Sequence, residues 1–182
     1  MSTKSATERT PHPSKSGPDD ARRNKASGVV VCVDVGHDSR PMIGHAKAVA
    51  GAFGAGVVLV SVIETHRAGA EAIDPLDWEI RRREVSTHLA NLAEEFSSED
   101  CEIGVMVLEG QPADQICNCA SNGSHDIIVM SRGSGEERWR TSKVAHGVIA
   151  SNVGAILLVP ADASAIKARG YSRVIVPLDG SS

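Results

Sequence analysis

GVVVCVDV, residues 28–35, is an almost unbroken β-branched run with a cysteine and an aspartate inside it. A continuous apolar stretch of this length, without polar alternation, fits a strand covered on both faces, as strands of parallel sheets are. A helix start follows. Ser39 suits the N-cap and Pro41 falls in the first turn, where its missing N–H costs nothing. Met42, Ala46, Val49, Ala50 and Phe53 then recur at helical spacing, and Gly54 ends the run.

The same unit recurs along the chain. VVLVSVI, 57–63, predicts a second strand, and residues 77–97 a helix with Val85, Leu89, Leu92, Ala93 and Phe96 on its apolar face. Its other face, with Arg81, Arg82, Arg83, Glu94 and Glu95, reads as ordinary solvated surface. EIGVMVLEG, 102–110, predicts the third strand, and Pro112 begins a short helix through Ile116 and Ala120. Residues 126–130 form the fourth strand, 141–152 a helix, and AILLVP, 155–160, the fifth strand. Strands alternating with helices pair in parallel through right-handed crossovers. The expected fold class is therefore α/β, an open, doubly wound, five-stranded parallel sheet with helices on both faces. Ligands of such sheets lie beyond the carboxyl ends of the strands, where strand order reverses. That directs attention to Asp34 to Asp38, Val62 to Glu64, Gly110, and residues 131–143.

Composition narrows the function. The chain has 182 residues, 41% of them apolar, and only Trp78, Trp139, Tyr171, Phe53 and Phe96 are aromatic. So few rings argue against a base-stacking surface. The net charge is -4, unevenly spread: residues 1–27 hold six Lys/Arg and three Asp/Glu, residues 28–182 hold 13 and 20, a balance of -7. An acidic domain disfavours phosphate-backbone binding, so no nucleic-acid partner is expected. Residues 1–27 read as a disordered polar tail. No run reaches the roughly 18–20 apolar residues of a membrane span, and the N-terminus lacks a secretory apolar stretch, so no membrane and a cytoplasmic location are expected. Cys32, Cys101, Cys117 and Cys119 form neither a CxxC pair nor a zinc knuckle; they read as buried, reduced thiols, with no metal site.

The loop SRGSGEERWRTSKVAH, 131–146, is the one candidate for anion binding. A glycine-containing loop running into a helix start offers free backbone N–H groups and the positive end of a dipole, and Lys143, Arg132, Arg138 and Arg140 add charge. It is no Walker loop, and no GxGxxG follows the first strand. Asp34, His37 and Asp38 cluster at the expected ligand mouth, where general acid–base work is conceivable in principle. Helix capping by Asp38 and Ser39 and a solvent-facing His37 account for them more cheaply, so no catalytic residue is assigned. His146 reads as a surface histidine. Trp139 reads as packing onto the sheet, with a ligand cover or partner contact as the alternative.

VCVDVGHDS with its helix, the strand ending SVIE, then VLEGQPADQICNCA, DIIVMSRG and VAHGVIASNVGAILLVP resemble, in order and spacing, the universal stress protein (UspA-like) domain over about residues 28–160. The resemblance implies the adenine-nucleotide alpha-hydrolase-like fold of that family, frequent dimerisation through the last strand, and roles in stress tolerance. Its ATP-binding members carry G-x-x-G-x9-G-[ST] after strand four and an aspartate after strand one. Asp34 matches that aspartate, expected near adenine and ribose; Val62 matches the strand-two position whose backbone meets adenine; Gly133 matches the second glycine. The rest departs. The first glycine is missing after Met130, eight residues separate Gly133 from Ser142, and Ser142 and Lys143 stand where Gly-[ST] is expected. Ser142 obstructs the close backbone approach that glycine permits, and Lys143 exchanges a hydroxyl for a cation.

The function expected from all this is a regulatory or ligand-sensing module of the stress response, not an enzyme, with a degenerate phosphate loop and weak or no ATP binding. The alternative is an ATP- or AMP-binding protein with a shifted phosphate pose on Ser131, Ser134, Gly135 and Lys143. A small nucleotide hydrolase using Asp34 or His37 stands third, since no nucleophile elbow or metal set is present. Beyond a linker at 161–171, RVIVPLDG at 173–180 repeats the pattern of GVVVCVDV, with Asp179 where Asp34 falls. Residues 172–182 thus read as the first strand of a truncated second repeat, and the expected partner is a second copy in a homodimer or a tandem domain.

Overall fold

The computed structural model describes residues 28–65, 74–122, 125–132, 141–164, 166 and 170–176. Nine elements alternate along it: β1 (Gly28–Cys32), α1 (Arg40–Phe53), β2 (Gly56–Ile63), α2 (Pro75–Phe96), β3 (Ile103–Glu109), α3 (Pro112–Asn122), β4 (Ile127–Arg132), α4 (Lys143–Ala150) and β5 (Ala155–Pro160). All pairings are parallel, in the order β3-β2-β1-β4-β5. The expected doubly wound α/β sheet is therefore present.

Its core has two layers because the strand side chains alternate. Val29, Val31 and Val33 face Met42, Ile43, Ala46 and Ala50 of α1 and Val85, Leu89 and Leu92 of α2. On the other face Ile128 and Met130 meet Ile116 and Ala120 of α3 and Ala145 and Val148 of α4, with Cys32 and Val62 alongside. Val29, Val30 and Val31 are wholly buried between β2 and β4, each such side chain contributing about 2 kcal/mol.

Element ends show where local pattern and structure part. β1 stops at Cys32 rather than Val35, although the Val33 N–H still donates to the Val60 carbonyl (2.8 Å), and Val35 is exposed. Ser39 occupies the N-cap of α1, but its hydroxyl makes no capping bond; the Asp38 Oδ1 accepts from the Arg40 N–H (3.1 Å) instead. Asp74 caps α2 by accepting from Leu76 N–H (2.8 Å). Phe53, assigned to the apolar face of α1 by spacing, is exposed in the last turn, whereas Ile43 is fully buried. α4 is shorter than expected because Ser142 caps it at Lys143.

After β5 the chain crosses α1. Ala163 packs against the core, Gly170 passes beside Ala48, and Tyr171 shares a 2.8 Å hydrogen bond with the Nδ1 of His45, the two rings 5.7 Å apart. The strand expected at 173–180 is not seen over 173–176, which has no sheet partner among the described residues; 177–180 lie outside them.

Gly154 makes the turn into β5 possible. It sits at φ +79°, and a Cβ there would stand 2.8 Å from the carbonyl oxygen of Asp126, the group that accepts from the Ala155 N–H (2.8 Å). Gly154→Ala should therefore destabilise the fold by about 1–3 kcal/mol, read as a lowered urea midpoint with an unchanged slope.

Candidate functional site

The central strand is the shortest, and that creates the site. β1 pairs with β2 only as far as Cys32 opposite Val60, and with β4 only as far as Val31 opposite Val129. β2 runs on through Ser61, Val62 and Ile63 beside β3, and β4 runs on through Met130, Ser131 and Arg132 beside β5. Among the described residues a gap, or notch, two strand spacings wide, about 9–10 Å, thus opens above the end of β1, with Val33 and Asp34 at its floor. It lies where the order turns from β2 on one side of β1 to β4 on the other, the switch point at which such sheets take ligands.

The ladder decides which backbone groups face the notch. In a parallel pair, residues two apart address the same neighbour. The Val60 carbonyl accepts from Val33 on the β1 side, and the Ile63 carbonyl accepts from Gly110 on the β3 side (3.0 Å). The N–H and C=O of Val62 consequently point toward β1, where β1 has already ended.

Asp34 sits in a tight exposed turn. Its Oδ1 accepts from the Gly36 N–H (3.0 Å), its Oδ2 lies 3.0 Å from the His37 Nδ1, and its carbonyl accepts from the His37 N–H (3.1 Å). His37 is exposed, as expected, yet it is also the partner of Asp34, which spacing alone did not disclose. Asp38 is turned away to α1 and to the guanidinium of Arg40, which also meets Glu95 (3.0 Å). The structure thus separates the expected Asp34, His37 and Asp38 cluster into a pair and a cap.

Of the phosphate-loop residues, Ser142 and Lys143 begin α4. Ser142 is extended (φ −65°, ψ 160°), and its Oγ accepts from the Ala145 N–H (3.0 Å), so the serine standing in for glycine is used as a helix cap. Lys143 is exposed in the first turn. Ser131 is exposed on the β4 overhang. Gly133, Ser134 and Gly135, with Arg138, Trp139 and Arg140, lie outside the described residues. His146 is exposed on α4.

All four cysteines are free and half-buried rather than fully buried. Cys117 donates to Ser151 Oγ (3.0 Å), since that hydroxyl itself donates to the Val148 carbonyl (2.6 Å), and Cys119 Sγ lies 3.9 Å from Met106 Sδ. Burial pushes the Cys32 thiol up to about 12, with Cys119 and Cys117 adding to the rise. Among the described residues no group of three or more His, Cys, Asp or Glu is placed to hold a metal, and no helix is long and apolar enough to cross a membrane.

The match to known proteins agrees with this architecture. The model of the universal stress protein family matches residues 27–160. The chain belongs to the universal stress protein family. No match was found among curated proteins. Among solved structures this universal stress protein is similar to one from Archaeoglobus fulgidus in complex with dAMP, at 20% identity and TM-score 0.53, covering 72% of this chain and 96% of that one. A universal stress protein in complex with cAMP matches at 19% identity and TM-score 0.52, covering 74% and 98%. A protein from Pseudomonas aeruginosa UCBPP-PA14 matches at 19% identity and TM-score 0.53, covering 75% of this chain but 48% of that one. At such identities the likeness shows the fold.

Cys32, at the foot of the notch, gives a pH signature. The unfolded thiol ionises from its ordinary 9.0, whereas the folded one stays protonated to about 12. The stability linked to it is fully present below the unfolded value and declines as the pH rises through that interval. Urea unfolding between about pH 8 and about pH 10.5 should show this decline, and Cys32→Val should flatten it by up to about 1.4 kcal/mol per pH unit.

Proposed function

We propose that this universal stress protein is a regulatory, ligand-sensing module of the stress response whose notch takes adenine nucleotides weakly, by base and ribose more than by phosphate. The observation that carries this reading is the overhang of β2 and β4 beyond β1. It turns the Val62 backbone toward the notch and leaves the Asp34 carboxylate at its floor, an arrangement that supports a planar base beside Val62 and ribose hydroxyls donating to Asp34. Those hydroxyls must displace His37 from Asp34, at little cost, since an exposed pair of this kind is worth about 0–1 kcal/mol.

The phosphate half is weaker. Ser142 spends an acceptor on the Ala145 N–H, and its Cβ stands where the family pattern has glycine. The start of α4 still offers its dipole and Lys143, which is the basis for a shifted pose using Ser131, Ser134, Gly135 and Lys143. Neighbours of the same fold bound to dAMP and cAMP support the adenine class of ligand. Occupancy would favour one arrangement of residues 131–143 and so alter a partner surface, a population shift without turnover. The partner is a second copy or a tandem domain. The repeat of the β1 pattern at 173–180 supports this, as does the Pseudomonas protein, of which this chain covers 48%.

Calorimetric titration with magnesium ATP and with AMP tests the reading. Both should bind with similar dissociation constants, on the order of 0.1–1 mM, with no turnover. Asp34→Ala should abolish both heats, while Ser142→Gly should strengthen ATP selectively. Micromolar ATP binding with no AMP binding would favour an intact phosphate site in the shifted pose. Absence of heat with either nucleotide at millimolar concentration would place the protein among the non-binding members.

A further inference from the structure

At the amino ends of the strands, opposite the notch, the domain carries a groove of about 1170 Å³. α1 lines one side and the turn from Phe96 to Glu102 another, while Ile166 and Gly170 of the segment that crosses α1 complete the lining. Much of this surface is bare. Gly56 at the start of β2 and Gly44 and Gly51 on α1 all line it, and a Cβ on any of the three would meet nothing within 4 Å. Glycine weakens a helix interior, and two of them leave the α1 wall open to close approach by another backbone.

The polar groups of the groove call for a cation and a hydrogen-bonding chain. Asp100 and Glu102 line it, both exposed, and neither pairs with a cation among the described residues. Lys47, also in the lining, donates to the Phe96 carbonyl instead. The His125 imidazole lies against Gly28 so closely that no Cβ would fit there. Its Nδ1 is nevertheless buried with no hydrogen-bond partner among the described residues. Buried polar nitrogens are seldom left so. A phosphate-bearing ligand would meet the two carboxylates, and an apolar partner would cover them without a counter-charge.

The chain itself supplies a segment of the right charge at the right place. Gly28 lines the groove, so the residues before it enter at its mouth, and these read RRNKAS, 22–27. Gly28 pairs with Gly56, and Val57 with Ile103. Glu102 therefore stands level with Gly56, two strand spacings or about 9–10 Å from Gly28. Three residues of chain span up to about 10–11 Å. Lys25 thus reaches Glu102 by crossing Gly56, where no side chain obstructs it, and Arg22 and Arg23 extend farther, to Asp100. Their aliphatic stems suit a lining that includes Phe96 and Ile166.

We propose that residues 22–27 fold back across the amino ends of β1 and β2 into this groove, with Lys25 on Glu102 and an arginine on Asp100. Exposed ion pairs are individually weak, but the tether holds the segment at an effective concentration on the order of millimolar. A partner that uses this face has to displace the segment first, so the contact is autoinhibitory. It is independent of the notch and of the nucleotide reading.

Brief trypsin digestion of the full chain, read by mass spectrometry, tests this against reference sites at Lys4, Arg9 and Lys15 of the same tail. Cleavage after Arg22, Arg23 and Lys25 should be about three- to tenfold slower than at the references. The paired change Asp100→Asn with Glu102→Gln, which adds no tryptic site, should bring the rates together, as should salt at about 0.5 M. Gly51→Leu, which has room for its side chain and favours the helix, should do the same by filling the groove. Circular dichroism and the urea midpoint establish that each variant is folded. Protection that persists in both variants comes from nearness to β1 alone and overturns the proposal. Equal rates in the native chain overturn it as well and leave the groove to another protein. Protection that grows with protein concentration makes the occupant a second copy's tail and overturns docking within one chain.

Discussion

Everything in this domain depends on holding one five-residue strand between two others with no water on either face. Val29, Val30 and Val31 of β1 are wholly excluded from solvent, and both helical layers are organised over them. A strand so placed cannot be moved by one residue without carrying its core side chains to the wrong layer. That rigidity also makes the notch a fixed feature. β1 ends where the Asp34 turn takes up the backbone, and its longer neighbours continue on each side.

Much of the fold was legible because the signals that define it are local. β5 falls at the residues its apolar run predicts, and the helix start at Pro112 carries its own marker, whereas Pro75, expected in the loop before a helix at 77–97, opens α2 under the cap of Asp74. Errors fell where a boundary depends on a partner. Val33 and Val35 continue the apolar pattern of β1, but the strand gives way to a turn in which the Asp34 Oδ1 accepts from the Gly36 N–H. Phe53 matches the helix period and yet lies in water, since the last turn of α1 has passed the edge of the core. At 173–176 the pattern of a strand was plain, but pattern cannot supply a neighbour.

The site was legible in a different proportion. Asp34 could be singled out from its place after a strand, and Val62 by resemblance. The reason Val62 matters is the parity of a hydrogen-bond ladder, and this becomes visible only once the register with β1 and β3 is known. The His37 bond to Asp34 follows from turn geometry that composition does not encode. Ser142 looked like the loss of a glycine; in the fold it is also the gain of a helix cap, so the same substitution weakens one role and fills another.

The position of β1 also matters while the chain is being made. It is the first described strand to be synthesised and the middle one of the finished sheet. β2 and α1 follow soon after and cover part of it, but its other edge has no partner until Ile127 to Val129 have left the ribosome. At about 5–20 residues per second that interval lasts on the order of 5–20 s. Throughout it an unbroken, β-branched strand stands with one edge unpaired, and unpaired edges of this kind are where newly made chains associate.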